Sequence, residues 1–485
     1  MYLGIDLGTS GLRALLIDGQ GRSLGAAEAH YKAVHPHAGW SEQDPAEWIA
    51  ALDKAVATLR AAHPEFTALK GIGVAGHMHG ATLLDAGNQV LRPCILWNDT
   101  RSHIEAEELD ALAEMRALSA NIVFPGFTAP KLVWVAKNEP EIFEKVSKVL
   151  LPAAYLNWYL TGEHVADMSD SAGTSWLDVG ARDWSDTLLA ASGMRAGQMP
   201  RLVEGSAPAG HLRADLAQAW GVGDVTVAGG AGDNAASACG IGALSEGQGF
   251  VSLGTSGVLL AARDGFAPAP ETALHTFCHA VPDRWYQMGV MLSATDSLNW
   301  LSTITGKSPR ALVEPLEATW HETLPPPGRV RFLPYLSGER TPHNDAAIRG
   351  SFTGLGTDTT VDDMVLAVLT GVAFGLRDSA EALRATGAEL GQLFAIGGGS
   401  ASTLWLKLIA TVLGVPLAKP QGGEFGAALG AARLGLCAAT GADPAQVMTP
   451  PAIGALIAPD PALAGAYESA YQAFRAAYPA IRSIQ

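Results

Sequence analysis

Short apolar runs separated by polar turns dominate the start of the chain. The runs YLGI, from Tyr2, and LRALLID, from Leu12, lie on either side of a Gly/Thr/Ser turn, and this pattern predicts two strands joined as a hairpin. The same pattern returns between Gly249 and Arg263, where GFVSL and VLLAAR enclose a second GTSG turn. Because solenoid repeats have much shorter periods, this distant repeat predicts two related domains.

Between and after the hairpins, helical and strand spacings alternate. The segment DPAEWIAALDKAVATLR, from Asp44, has helical spacing after an Asp cap and a Pro, and KGIGVAG, from Lys70, has the composition of a buried strand. In the second half a long helix is predicted from about Val361, followed by the strand and glycine loop LFAIGGGS and the helix STLWLKLIATVLG. Each half therefore predicts an α/β domain with a mixed sheet. We expect the domains to be residues 1–244 and 245–485.

Composition narrows the class of protein. A length of 485 residues with 48% hydrophobic and 16% charged residues is typical of a folded protein with two domains. The net charge of −16 argues against nucleic acid or an anionic membrane as a partner. The four cysteines are widely spaced and favour a reduced, cytoplasmic protein. The opening MYLGID has no signal-peptide pattern, and the apolar segment from Met364 is too short to span a bilayer, so we expect a buried helix there.

The two GTSG turns are candidate phosphate-binding loops. Successive backbone N–H groups and hydroxyls in such turns form a nest for phosphate oxygens, and two facing loops can hold a polyphosphate. A single copy is at least as well explained as a plain hairpin turn. Asp6 precedes the first loop, where a carboxylate suits Mg²⁺, although Asp also commonly bonds its own backbone in turns.

Three further glycine-containing segments carry candidate chemistry. In VAGGAGDNAA a strand ends in glycines and Asp233 opens a helix, so Asp233 is either a helix cap or a general base at a strand end. The loop AIGGGSAS, from Ala395, either admits a nucleoside or packs a helix on a strand. GIGVAG, from Gly71, fits a dinucleotide fingerprint, but no helix start follows it, and this argues against that function.

HMH follows GIGVAG directly. His77 and His79 are expected on one face of a strand, and without a third ligand nearby they favour hydrogen bonds, for example to a polyol, over a metal site. Trp97 and Trp134 either wall a cleft or belong to the core, and the interpretation as core residues is favoured because a buried Trp is more often found there.

Several motifs occur together in one order along nearly the whole chain. They resemble those of the FGGY carbohydrate kinases, and within that family those of the bacterial xylulose kinases. The motifs are IDLGTSG, GHMHGATLLD, ILWNDTR, FTAPKLVW, DMSDSAGTSWLDV, GGAGDNAA, SLGTSGV, FLPYLSGERTPH and GGGSAS.

The resemblance implies a two-domain, actin-like (ribonuclease-H-like) α/β ATPase fold with an interdomain cleft. It implies ATP and Mg²⁺ as cosubstrate and cofactor, a small sugar substrate, and a homodimer. The implied reaction is phosphorylation of the terminal hydroxyl of a ketopentose, with D-xylulose as the first candidate. A kinase for D-arabinitol, L-xylulose or D-ribulose is the alternative. A non-catalytic sugar-responsive regulator on the same fold is the other, but the chain has no DNA-binding motif or basic face for it.

The resemblance also implies roles for individual residues. Asp233 is the catalytic base, and Asp6 lies near Mg²⁺, bound to it through water. Each remaining residue contacts one of the two substrates: Met78, His79, Asn234 and His77 the sugar; Thr9, Ser10, Gly254, Thr255, Ser256, Gly397, Gly398 and Gly399 the ATP.

The chain departs from the family pattern at three positions. His77 replaces a Gln in the usual GQMHG, and Ala401 and Thr411 stand where Arg and Asp are usual. The first change concerns the sugar, and the other two concern the edge of the nucleotide site. Because Asp6, Asp233 and both loops are intact, we expect an active enzyme.

Overall fold

The computed structural model describes residues 1–320, 323–422 and 426–485. The strands within these residues are β1 Tyr2–Leu7, β2 Gly11–Ile17, β3 Ser23–His30, β4 Glu42–Gln43, β5 Gly71–Gly76, β6 Thr82–Leu84, β7 Cys94–Ile95, β8 Lys148–Leu150, β9 Val165–Asp167, β10 Leu177–Asp178, β11 Asp183–Trp184, β12 Arg201–Val203, β13 Pro208–His211, β14 Thr226–Ala228, β15 Ala231–Gly232, β16 Gly247–Leu253, β17 Gly257–Arg263, β18 His275–Cys278, β19 Trp285–Met291, β20 Arg331–Leu333, β21 Ser351–Thr353, β22 Leu390–Ile396, β23 Leu417–Pro420 and β24 Ile453–Ile457.

The α-helices of the same residues lie between and after these strands. They are α1 Pro45–Ala62, α2 His103–Asp110, α3 Ala113–Ser119, α4 Thr128–Asn138, α5 Pro140–Phe143, α6 Pro152–Thr161, α7 Met168–Ser171, α8 Asp186–Ala191, α9 Ala214–Trp220, α10 Asp233–Ile241, α11 Thr295–Thr305, α12 Pro309–Thr319, α13 Val361–Ala385, α14 Thr403–Leu413, α15 Ala427–Thr440, α16 Pro444–Val447 and α17 Ala464–Arg482.

The two large sheets have the same strand arrangement. In the first, β1, β2 and β3 are antiparallel, and β1 then pairs in parallel with β5, which is followed by parallel β14 and antiparallel β13. In the second, β16, β17 and β19 are antiparallel, and β16 pairs in parallel with β22, followed by parallel β23 and antiparallel β24. The predicted α/β class with a mixed sheet in each half is therefore confirmed, and the duplication extends well beyond the hairpins.

The individual elements follow from their sequences. Asp44 caps α1 by accepting a hydrogen bond from the backbone N of Ala46 at 2.9 Å, as the Asp-Pro pattern predicts. The long helix predicted near Val361 is α13, which is buried along most of its length. β5 leads through a turn into strand β6, so the helix that a dinucleotide fingerprint requires does not follow Gly76. Within the described ranges, no helix is both long and apolar enough to span a membrane.

Helix α15, from the second half of the chain, packs on the first sheet. Glycines in β1 and β5 permit this close approach: a Cβ on Gly4 would lie 1.9 Å from the carbonyl oxygen of Ala428, and one on Gly73 would lie 1.9 Å from that of Ala431. Helix α10 packs against α15 and shares a hydrophobic cluster with Phe250 of the second sheet. The helix that begins with Asp233 is therefore held between the two halves.

Candidate active site

The first GTSG turn joins β1 to β2 and is held from both sides. Gly8 donates its backbone N–H to the carbonyl oxygen of Gly11 at 2.9 Å. The carbonyl oxygen of Thr9 accepts a hydrogen bond from the side-chain amide of Gln43 at 2.6 Å. The hydroxyl of Thr9 accepts one from the indole N–H of Trp97 at 2.9 Å. Trp97 is 46% exposed, so its interpretation as a core residue is wrong. Ser10 is exposed at the tip of the turn.

The second GTSG turn joins β16 to β17 in the same way. The carbonyl oxygen of Gly254 accepts hydrogen bonds from the backbone N and the hydroxyl of Thr295, at 3.0 and 2.7 Å. The carbonyl oxygen of Thr255 accepts one from Ala294 at 2.8 Å, while the side chains of Thr255 and Ser256 are exposed. The carbonyls of this turn thus point into the protein, leaving its hydroxyls available to a ligand.

The glycine loop after β22 lies beside this second turn, because Ile396 pairs with Ser252 in the parallel register. A Cβ on Gly397 or Gly399 would approach Leu253 to 2.8 Å, and Gly397 also has a φ of +85°. Gly398 has nothing within 4 Å of its Cβ position. Two of these glycines are therefore required for packing, and the third has open space beside its backbone.

Asp233 is the first residue of α10, and Gly232 occupies the capping position, so the interpretation of Asp233 as the helix cap is wrong. One carboxylate oxygen of Asp233 accepts hydrogen bonds from the backbone N and the side-chain amide of Asn234, at 2.7 and 3.0 Å. Burial raises the pKa of Asp233 to about 6. At neutral pH it is therefore an ionised carboxylate with basicity suited to accepting a proton.

Asp6 and Asp233 influence each other electrostatically. Asp6 lies at the carboxyl end of β1, beside β5 in the first sheet, and its pKa is raised to about 7 by burial and by the charge of Asp233. Arg13, on the neighbouring strand, partly offsets this effect. Two carboxylates so arranged repel each other, and a cation beside them relieves the repulsion.

Met78 and His79 lie shortly after the end of β5, and Met78 contacts the residue that precedes Asp233. A Cβ on Gly232 would lie 2.8 Å from the Cγ of Met78, and the hydroxyl of Tyr286 donates to the Met78 sulfur at 3.8 Å. The Nδ1 of His79 is 2.6 Å from the carbonyl oxygen of Gly173. Because a carbonyl only accepts and burial lowers the pKa of His79 to about 3, the ring is neutral with its proton on Nδ1. Its Nε2 is then a hydrogen-bond acceptor.

His77 lies in a different environment from His79. Its ring is 2% exposed, packs edge-on against Trp48 at 5.6 Å, and has no hydrogen-bond partner at either nitrogen among the described residues. β5 ends at Gly76 and His79 has a φ of +72°, so the expectation that both histidines share a face of a strand is wrong. In the described part of the chain, no cluster of three or more His, Cys, Asp or Glu side chains is arranged to hold a metal.

Sequence reasoning did not single out Lys131 of α4, although it lies in the motif FTAPKLVW. Lys131 is fully buried and donates to the carbonyl oxygens of His79 and Gly126, at 2.8 and 2.5 Å. Burial lowers its pKa to about 7. The signal in the sequence is a lysine within the apolar face of an amphipathic helix, beside Leu132 and Val135.

Asp170 of α7 was also not predicted from the sequence as a candidate site residue. It is 2% exposed, and neither carboxyl oxygen has a hydrogen-bond partner among the residues described. Burial, together with the charges of Asp167 and Asp233, raises its pKa well above the ordinary value. The hydroxyl of Ser169 accepts the backbone N–H of Gly232 at 3.2 Å and thereby ties this helix to the residue that precedes Asp233.

Both halves of the chain are similar to the domains of one known protein family. Residues 1–240 match the model of the FGGY family of carbohydrate kinases, N-terminal domain, and residues 249–439 match that of the C-terminal domain. The chain is 47% identical over 442 residues to a xylulose kinase of Escherichia coli (strain K12), covering 90% of each sequence.

Solved structures of carbohydrate kinases superpose on this chain along nearly its whole length. A crystal structure described as a xyloylose kinase from Brucella ovis superposes with a TM-score of 0.98 at 60% identity and covers 100% of both chains. A xylulose kinase from Rhodospirillum rubrum superposes with a TM-score of 0.91 at 28% identity, over 100% of this chain and 99% of that one. The predicted two-domain fold is thus shared along the whole chain.

Proposed function

Because the chain belongs to the FGGY family of carbohydrate kinases, we propose that it transfers the γ-phosphoryl group of ATP to the terminal hydroxyl of D-xylulose, forming D-xylulose 5-phosphate. The observation that carries the proposal is the buried carboxylate of Asp233, which lies at the start of α10 beside Met78 and shares an electrostatic environment with Asp6. The identity to proteins named xylulose kinase supports this choice of sugar.

Asp233 is the catalytic base of the proposed reaction. Its free carboxylate oxygen accepts the proton of the sugar hydroxyl as that oxygen attacks the γ-phosphorus, while Asn234 holds the other oxygen. Met78 and the acceptor Nε2 of His79 orient the sugar, and Asn234 lines the same pocket. His77 is proposed as a further sugar-binding residue, although its ring packs against Trp48. Alignment of the hydroxyl with the phosphate accounts for most of the catalysis in phosphoryl transfer.

The phosphates of ATP are held by the two GTSG turns, one from each half of the chain. Thr9 and Ser10 belong to the first turn, and Gly254, Thr255 and Ser256 to the second. The nucleoside lies against Gly397, Gly398 and Gly399. The exposed hydroxyls and the open backbone at Gly398 support this assignment.

The residues near Asp6 fit a magnesium ion. Mg²⁺ uses few carboxylates and keeps several waters and phosphate oxygens as ligands, so the single acid Asp6, bound through water, suits it. The raised pKa of Asp6 beside Asp233 supports a site that gains from a cation. When bound, Mg²⁺ neutralises charge on the phosphates.

We further propose that residues 1–244 form the sugar-binding domain and residues 245–485 the nucleotide-binding domain, that closure of the two domains excludes water, and that the protein is a cytoplasmic homodimer. Water competes with the sugar as a nucleophile, and exclusion by closure favours the sugar. ATP hydrolysis without sugar is then much slower than sugar phosphorylation. Equal rates with and without sugar would contradict closure.

An ADP-release assay over a panel of pentuloses and pentitols tests the function. We expect D-xylulose to give the highest kcat/KM, with release of ADP matched by formation of sugar 5-phosphate. His77, with two unpartnered ring nitrogens where the family usually has Gln, is the observation that favours a neighbouring polyol or ketose as the alternative. Preference for D-arabinitol, L-xylulose or D-ribulose would establish that alternative. If none of the sugars in the panel stimulates ADP release, both proposals are refuted.

A further inference from the structure

Arg340 is a charged group without a hydrogen-bond acceptor among the described side chains. It lies in the segment GERTPH of the second half of the chain, and its guanidinium carbon is 3.6 Å from the ring centroid of Phe124 in the first half. Stacking on an aromatic face leaves the N–H groups at the edge of the guanidinium free to donate. Arg340 therefore reaches across the junction of the two halves and presents unused donors there.

Glu339 interacts electrostatically with Arg340, but among the described residues it accepts no hydrogen bond from the guanidinium. The adjacent Glu339 accepts hydrogen bonds from the backbone N–H groups of Arg340 and Leu292, at 2.8 and 3.0 Å, and burial raises its pKa to about 8. His275 is 5% exposed, and burial together with the charge of Arg340 keeps its pKa well below the ordinary value. Arg340 is partly buried, and its donors have no hydrogen-bond acceptor among the described residues, so they are available to a ligand oxygen.

A continuous row of contacts connects Arg340 with the catalytic base. Ring centroids along it are 5.6 Å apart between Phe124 and Phe127, and 4.5 Å apart between Phe127 and His79. The two sugar-contacting residues, His79 and Met78, both approach Gly173. From Arg340 to Asp233 the row consists of Phe124, Phe127, His79, Gly173, Met78 and Gly232. Arg340 and Asp233 are thus the two ends of a row of contacts that contains both proposed sugar-binding residues.

We propose that Arg340 is a specificity-determining residue that donates hydrogen bonds to the ketone oxygen of the sugar, at the end opposite the hydroxyl that Asp233 activates. This inference rests on the proposed function. A carbonyl oxygen only accepts and a guanidinium only donates, so the two are complementary. In a pentitol the same position carries a hydroxyl, whose proton finds no acceptor on Arg340. A hydroxyl oxygen also accepts from Arg340 but must donate its own proton to another group, so Arg340 favours a ketose over the corresponding polyol.

The test compares D-xylulose with xylitol and D-arabinitol in wild type and in Arg340→Met, with saturating Mg-ATP. Loss of a charge-assisted hydrogen bond lowers kcat/KM for D-xylulose by about 10- to 100-fold, mainly through KM, and lowers that for the pentitols by less than about 3-fold. The ratio of ketose to pentitol activity collapses accordingly. Arg340→Lys keeps the charge but not the fork of donors and gives an intermediate ratio.

Arg310→Met, which removes an exposed arginine of the same half, is the matched control and leaves the ratio unchanged. Equal losses for ketose and pentitols in folded Arg340→Met protein would overturn the assignment, as would wild-type preference for an aldonate over D-xylulose that depends on Arg340. Wild-type protein inactive on every sugar would instead refute the proposed function. The two failures are therefore distinguishable.

Discussion

Gly430 of α15 lies so close to Ala236 of α10 that a Cβ on Gly430 would stand 1.8 Å from the carbonyl oxygen of Ala236. This contact joins the helix that begins with Asp233 to the helix that packs on the first sheet. Arg433, one turn farther along α15, donates to the carbonyl oxygens of Cys239 and Gly240, at 3.0 and 2.9 Å, near the end of α10. The position of Asp233, the proposed catalytic base, is thus determined by helix packing between the two halves.

Gly430→Ala is therefore expected to destabilise the protein. The added methyl group meets backbone atoms, which cannot move without separating the helices, so the loss in unfolding free energy is about 2 kcal/mol or more. Thermal unfolding measures it. Gly465→Ala is the matched control, because nothing lies within 4 Å of its Cβ position in α17 and alanine favours a helix. A Gly430→Ala protein as stable as Gly465→Ala would show that the helices are not in contact as described.

Asp233→Asn is expected to abolish most turnover while sparing nucleotide binding. General-base assistance is worth roughly 10²- to 10⁴-fold in kcat, and asparagine cannot accept the proton. Steady-state kinetics and calorimetric titration with Mg-ATP measure the two effects. Asp44→Asn is the control, since asparagine caps α1 as well as aspartate does. Near-normal turnover in Asp233→Asn would exclude it as the base.

The pH dependence of the reaction follows from the same carboxylate. Asp233 acts as a base only when ionised, so kcat/KM for the sugar falls as the pH drops below about 6, the raised pKa of Asp233. The measurements are made at saturating Mg-ATP, because a bound cation favours the ionised form of Asp6. The remaining pH dependence then reports the ionisation of Asp233. A profile that stays flat from pH 7 to pH 5 would contradict the assignment.

Lys131→Met is expected to act on sugar binding rather than on the chemical step. Lys131 positions the backbone of His79, so its loss raises KM for the sugar by roughly 5- to 20-fold and leaves kcat within about 3-fold. The split between KM and kcat is the readout. Lys137→Met is the control on the same helix, because Lys137 is 45% exposed and pairs with Glu108. Equal effects of the two substitutions on KM and kcat would show that Lys131 has no specific role in sugar binding.

Asp170→Asn is expected to change how stability depends on pH. An acid whose pKa is raised in the folded state holds its proton more tightly there, so the folded state loses stability as the pH rises above the ordinary carboxyl range. Asparagine does not ionise. The Tm of Asp170→Asn relative to wild type should therefore be more favourable at pH 8 than at pH 5, whereas the exposed Asp186→Asn should show no such trend. If the difference in Tm between Asp170→Asn and wild type is the same at pH 5 and at pH 8, Asp170 is not buried as described.

Much of the architecture was predictable because it depends on local patterns. The duplicated hairpin, α1 with its Asp44 cap, and the long α13 all follow from spacing and capping residues within a few turns of chain. Where prediction failed, the competing contact was distant. Trp97 binds Thr9 across 88 residues, and His79 takes a left-handed conformation that alternating polarity does not indicate.

The sequence by itself determined the paired strands and loops, the resemblance to a kinase family and the identity of the candidate acids. Only the tertiary structure decided that Lys131 supports His79, that Asp170 is buried near Asp233, and that Arg340 stacks on Phe124 from the other half. The reason is physical: spacing along a chain encodes which residues share a helix or strand, whereas burial and charge interactions depend on neighbours brought together by packing.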